Sequence, residues 1–230
     1  MNSGRWTDNR KKQITESRIT ATKEVLRIIS SLSEKPDVLL NASAIGIYGT
    51  SETDTFTDDS TQYGNDFLAK TVVAWENEAK KATDLGVRTC FLRLGVVLGK
   101  DGGALTRMVL PYHFFIGGTI GSGKQWLSWI HIDDVVRGVN FLLHNKSVSG
   151  PINFTAPNPI QMKHFGQTIG TVMHRPHWLP VPGFALQFLL GEMSILVLEG
   201  QKVLPKKLKE NGFSFTYETL ELALSHTLRG

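Results

Sequence analysis

The fold turns on VLLNASAIGIYG at residues 38–49 and on its counterpart VRTCFLRLG at residues 87–95. Each opens with a short, nearly unbroken apolar run and ends in glycine. A strand covered on both faces requires such a run, because neither face meets water. Between them lies a polar loop reaching about Asn65, then a stretch with Leu68, Val72, Trp75, Ala79 and Ala82 at three- and four-residue steps. That period puts the apolar side chains on one helix face, and Gly86 is the expected stop. Strand, loop, helix, strand is a βαβ unit, which implies parallel strands joined by a right-handed crossover.

Upstream, the residues from Asp8 predict a helix with Ile14, Arg18, Ala21, Val25, Ile28 and Leu32 as its stripe, capped by Thr7 or Asp8 and broken at Pro36. Downstream, residues 104–110 predict a helix that stops at Pro111. GGTIGSGKQWLSWIHIDDVVRGVNFLL at residues 117–143 reads as a glycine-rich loop, a short strand and a helix capped by Asp133 and Asp134. Carboxylates suit that place because they accept the free N–H groups and meet the positive dipole end. Residues 151–156 predict a strand and 162–173 a helix. After Arg175-Pro176-His177 a stiff proline-rich segment leads into very apolar helices, a basic helix from Pro205 and a last helix from about Thr219. The change predicts two parts, residues 1–174 and a small, mostly helical domain at 175–230.

Composition narrows the function. Of 230 residues, 41% are hydrophobic and 20% charged, which is ordinary for a globular protein and excludes disorder. The formal charge is +4, and the basic residues form no long run, so no nucleic-acid footprint is expected. Cys90 is the single cysteine, which excludes an internal disulfide and a cysteine-based zinc cluster. The opening residues hold no apolar signal core, and no apolar run is long enough to span a bilayer, so a cytoplasmic protein is expected, with no membrane partner.

The ligand candidates from the residues are Lys124, Gln125 and Trp126. A cation, an amide and an aromatic ring after loop glycines suit a sugar-like or anionic small molecule; the alternative is an exposed loop with one anchored tryptophan. His131 titrates near neutrality but sits within a strand before a helix start, which favours a structural hydrogen bond. No metal site is expected, because no third ligand lies near Asp133 and Asp134 at useful spacing, and His164, His174 and His177 are dispersed.

SAIGIYG at the first strand end, FLRLGVVLG at residues 91–99, GSGKQWLSWIHIDDVV and PINFTAPNPIQMKHF fall in the chain order of extended short-chain dehydrogenase/reductases. Arg5-Trp6-Thr7, Asp66-Phe67-Leu68-Ala69, Gly102-Gly103-Ala104-Leu105, Gly191-Glu192-Met193 and Gly212-Phe213-Ser214-Phe215 narrow the match. The chain resembles the atypical, NAD-dependent epimerase/dehydratase-like subfamily over nearly its whole length. The resemblance implies an α/β fold, an incomplete Rossmann-like doubly wound parallel sheet with a small helical C-terminal domain. It implies an NAD(P)-dependent epimerase or oxidoreductase of unknown substrate. Ser43 would act at the strand end on a substrate hydroxyl or the nicotinamide carboxamide, or serve packing. Arg93, Gly95 and Val96 would meet the cofactor, although Arg93 can equally pair with an acid. Tyr48 would face a ligand or pack in the loop.

Two departures temper this. Family members begin with a strand, a Gly-x-x-Gly-x-x-Gly turn and a helix that hold the pyrophosphate; this chain carries no such run. The expectation is that the early strands are missing, that the chain alone binds NAD or NADP weakly or not at all, and that its sheet edge is open. No tyrosine here has a lysine four residues on. That lysine would lower the phenol pKa toward neutrality. The alternative function is therefore a catalytically inactive nucleotide-sensing or protein-interaction module.

Overall fold

The computed structural model describes residues 6–229; Arg5 of the Arg5-Trp6-Thr7 motif lies outside them. Helix α1 (Asp8–Ser31) starts at Thr7, whose hydroxyl oxygen accepts the Arg10 N–H at 3.3 Å. Its buried face is Ile14, Thr22, Leu26 and Ile29. This corrects the expected stripe, because Val25, Ile28 and Leu32 are 40%, 46% and 44% exposed. The helix carries two apolar stripes, and packing against its neighbours chose the one that sequence periodicity did not.

Strand β1 (Val38–Ala44) is followed by a short 3-10 turn, by β2 (Thr55–Phe56), and by α2 (Phe67–Lys80). Asp66 starts α2 by accepting the N–H groups of Leu68 and Ala69 on one carboxylate oxygen. Next come β3 (Arg88–Leu94), β4 (Val96–Leu98), α3 (Gly103–His113), β5 (Trp126–Leu127) and β6 (Trp129–His131). The chain continues through α4 (Ile132–His144), β7 (Gly150–Phe154), β8 (Ile160–Gln161) and α5 (Met162–Met173). It closes with α6 (Gly183–Leu190), α7 (Ile195–Leu198), β9 (Lys202–Val203), α8 (Lys206–Glu210) and α9 (Leu220–Arg229). Helix α3 passes Pro111 and runs on to His113, against the expected stop. The fixed φ of proline is itself helical.

The central sheet has the order β1-β3-β7, all parallel. Alternation along the strands sorts its two faces. Cys90, Leu92, Ile152 and Phe154 pack with Leu142 of α4 and Leu208 of α8. On the other side Leu39 joins Leu26 and Ile29 of α1. A second core forms where β4 and β6 pair, around Leu98, Leu105, Trp129, Phe165 and Leu224. Leu220, Ala223 and Leu224 of α9 belong to this core, and β9 pairs with β2. Helix α9, Leu208 of α8 and strand β9 are thus packed against the earlier part of the chain, whereas α6 and α7 have no buried residue.

The start of α4 differs from the sequence expectation. His131 is the cap residue, its Nδ1 accepting the Asp133 N–H at 3.2 Å. Asp134 is fully buried and accepts the N–H groups of Thr216 and Tyr217, so it fastens a remote loop. The glycines at 117 and 118 also have a packing reason. Residues 117–120 run alongside 177–181, and a Cβ on Gly118 would overlap the Leu179 carbonyl oxygen.

Candidate active site

Strand register lines up a polar row. Ser43 on β1 is opposite Arg93 on β3, and Arg93 is opposite Asn153 on β7. All three are buried, Arg93 and Asn153 completely. Glu76 of α2 lies across the row. It accepts Nε and Nη2 of Arg93 at 2.9 and 2.8 Å and the Ser43 hydroxyl at 2.5 Å. Arg93 Nη1 donates to the Tyr48 hydroxyl at 2.9 Å, which donates in turn to Asn153 Oδ1 at 2.7 Å. Burial alone would lower the Arg93 pKa, but its bonds to Glu76 and Tyr48 outweigh that and raise it. Burial raises the Tyr48 phenol above its ordinary value. A phenol so placed is a poor base near neutrality.

Beside this row, a cleft of about 310 Å³ opens at the carboxyl ends of β1 and β3. Ligands of open α/β sheets bind outside such strand ends. Its walls include Ala44, Gly46, Gly95, Val96, Trp75 and Trp126, with Arg18 reaching in from α1. A wider groove near Lys23, Arg27, Glu78 and Lys81 is more open and lies away from the strand ends. The cleft is the better ligand site.

The expected site residues separate here. Gly95, Val96 and Trp126 meet in the cleft. Ser43 and Arg93 do not line it; their polar atoms turn to Glu76 behind the wall. Gln125 is buried and donates to the carbonyls of Ile120 and Val197, so it braces the loop. Lys124 is exposed outside the cleft. Tyr48 is a buried packing and network residue.

Arg18 is the residue whose role sequence reasoning missed, having been assigned to a buried stripe. Its guanidinium lies 5.2 Å from the Trp75 ring centre and donates to the Ile14 carbonyl. Among the described residues it has no carboxylate partner, and burial lowers its pKa. Arginine keeps its charge even so. The available signal was an arginine inside an apolar helical stripe.

Gly95 has a reason independent of any ligand. A Cβ there would sit 2.5 Å from the Ser128 carbonyl oxygen, which accepts the Val96 N–H at 2.9 Å. The glycine lets β4 turn away closely beside residue 128.

The model for the NAD dependent epimerase/dehydratase family matches residues 2–154. The chain belongs to the NAD dependent epimerase/dehydratase family. Residues 181–227 also match a domain of unknown function, DUF1731. Epimerase family protein YfhF of Bacillus subtilis is 53% identical over 98% of this chain and 74% of its own length. A crystal structure of human epimerase family protein SDR39U1 (isoform 2) with NADPH has a TM-score of 0.93 at 32% identity, over 98% of this chain and 77% of that one. A nucleoside-diphosphate sugar epimerase from Corynebacterium glutamicum has a TM-score of 0.79 at 31% identity, over 98% of this chain and 44% of that one. The NAD dependent epimerase/dehydratase fold is Rossmann-like, as the resemblance implied, with a parallel sheet and a helical C-terminal part. No helix among the described residues of this family member is long and apolar enough to cross a membrane.

Proposed function

We propose that the cleft takes the nicotinamide end of NAD or NADP together with a small anionic substrate, in epimerase- or oxidoreductase-type chemistry. The observation that carries this is the meeting of Gly95 and Val96, at the end of β3, with Arg18, Trp75 and Trp126 in one cleft. Family membership supports the cofactor, as does the human relative whose structure is with NADPH. The Corynebacterium relative's name supports a sugar nucleotide as the substrate class.

The residues fit one half of such a cofactor. The backbone at Gly95 and Val96 and the indole rings suit the flat nicotinamide. The glycine-rich turn at residues 99–103 does follow a strand, β4, and open a helix, α3, but it lacks the Gly-x-x-Gly-x-x-Gly spacing of a pyrophosphate-binding turn. When bound, the nicotinamide supplies hydride transfer. Arg18 would hold a phosphate or carboxylate of the substrate by a charge-assisted hydrogen bond. Trp75 and Trp126 would cover the site from water. Ser43 lies one residue behind Ala44 in the wall and would reach a ligand by exchanging its bond to Glu76.

The chain by itself is then a weak cofactor binder. Titration with nicotinamide mononucleotide and NADPH, followed by tryptophan fluorescence and saturation-transfer NMR, should give saturable binding weaker than micromolar. Trp126→Ala should remove it. Absence of any saturable binding at millimolar ligand would reject the reading. The missing tyrosine–lysine pair and the inward hydroxyl of Ser43 favour a second reading, a nucleotide-sensing module without turnover. Binding without hydride exchange across a set of sugar nucleotides would select it.

A further inference from the structure

The start of α4 and the end of α9 bring together three donors that the sequence keeps far apart. Nδ1 of His131 lies 3.4 Å from Oδ2 of Asp133, and Nε2 of His226 lies 3.7 Å from that same oxygen. The three donor atoms are all within 4.8 Å of one another. His131 is buried, while Asp133 and His226 open to solvent.

The hydrogen-bond pattern assigns the proton on His131. The Thr227 hydroxyl donates to the Ala223 carbonyl at 2.8 Å. Toward His131 Nε2, at 3.1 Å, its oxygen must therefore accept. Nε2 carries the hydrogen, and Nδ1 presents a lone pair. The lone pair has only a long bond from the Asp133 N–H, and it faces a carboxylate oxygen. Two acceptors at that separation repel unless a cation lies between them.

We propose that His131 Nδ1, Asp133 Oδ2 and His226 Nε2 bind a divalent cation of the zinc class. Bonds of about 2.0–2.2 Å in a tetrahedral site put neighbouring donors roughly 3.3–3.5 Å apart. The two separations from Asp133 Oδ2, 3.4 and 3.7 Å, are close to this, and the two histidine nitrogens, within 4.8 Å of each other, would draw together around the ion. The fourth position is open to water or to the phenol oxygen of Tyr217, which is 3.4 Å from the same carboxylate oxygen. The positive end of α4 opposes a cation, and the Asp133 carboxylate offsets it. Thr227 holds the imidazole tautomer, as partners of metal-bound histidines do. None of these residues lines the cleft, so the ion would fasten α9 onto α4 and leave the cleft walls untouched.

The test uses the full chain without a histidine tag, stripped by chelator. It is titrated with Zn²⁺ by calorimetry and with Co²⁺ by visible absorption. A single equivalent should bind, with the intense Co²⁺ bands of a four-coordinate site, and Zn²⁺ should raise Tm. His226→Ala and Asp133→Asn, both at exposed positions, should each weaken binding at least about tenfold and abolish the Tm rise. Thr227→Val should weaken it by about 10–100-fold. Failure of the wild-type chain to take up a stoichiometric ion, or uptake unchanged in His226→Ala, would overturn the proposal. The Co²⁺ spectrum of the wild type decides the matter even if a variant fails to fold.

Discussion

Arg93 has no exposed surface, so its charge depends on Glu76. The two form a two-point contact, and Ser43 supplies a further bond to the same carboxylate. Removing one partner of a buried pair strands the other charge, which costs about 3–5 kcal/mol. Glu76→Ala should lower the unfolding free energy by that order in urea titrations. The Glu76→Leu/Arg93→Met double variant should recover much of the loss, because neither charge is then stranded. A Glu76→Ala cost below about 1 kcal/mol, the range of exposed pairs, would mean that the pair is not buried as described. The sequence marked Ser43 and Arg93 as important at their strand ends. It could not give their direction, because Glu76 lies on a different element and the row exists only through strand register.

At the scale of elements, β1 lies at the edge of the central sheet, with α1 packed on it. Among the described residues β1 pairs only with β3, and Val25, Ile28 and Leu32 of α1 are exposed. Unpaired strand edges and exposed apolar stripes template association. We expect concentration-dependent self-association in sedimentation velocity, reduced by Ile28→Glu with little change in Tm. A monodisperse monomer at high concentration would contradict this. Helix α4 shows the same limit from the other direction. Its sequence announces a capped start, but the capping atom belongs to His131, and Asp134 holds residues more than eighty positions away. Local sequence specifies that a cap is needed, whereas packing selects which side chain supplies it.

Across the whole molecule, His177 joins the segment at residues 177–181 to the central part. Its Nδ1 lies 2.8 Å from the Tyr112 hydroxyl and its Nε2 3.0 Å from Thr119 Oγ1. Burial first, and then Lys163, lowers the His177 pKa. Burial also pushes the Tyr112 phenol up to about 12, so it stays neutral across this range. A depressed folded pKa means that the unfolded chain binds more protons between the two values, so stability rises with pH there. The contribution is complete above the unfolded value of about 6.5. It is lost as pH falls below that value toward the folded pKa. Tm should therefore drop between neutral and mildly acid pH, and the drop should be smaller in His177→Gln. An unchanged slope in that variant would place the pH dependence elsewhere.

The sequence by itself determined the parallel βαβ framework, since apolar runs and a helical period leave few ways to bury those residues. It also determined the family, through motifs spread along the chain. Strand ends at Ser43 and Gly95 were legible for the same reason. Tertiary structure alone decided which stripe of α1 is buried, that Arg93 turns inward, and that Arg18 enters the cleft. It also decided that His226 meets His131 and Asp133. Periodicity and propensity act within a few residues, whereas these outcomes depend on atoms tens of positions apart whose distances are set by packing.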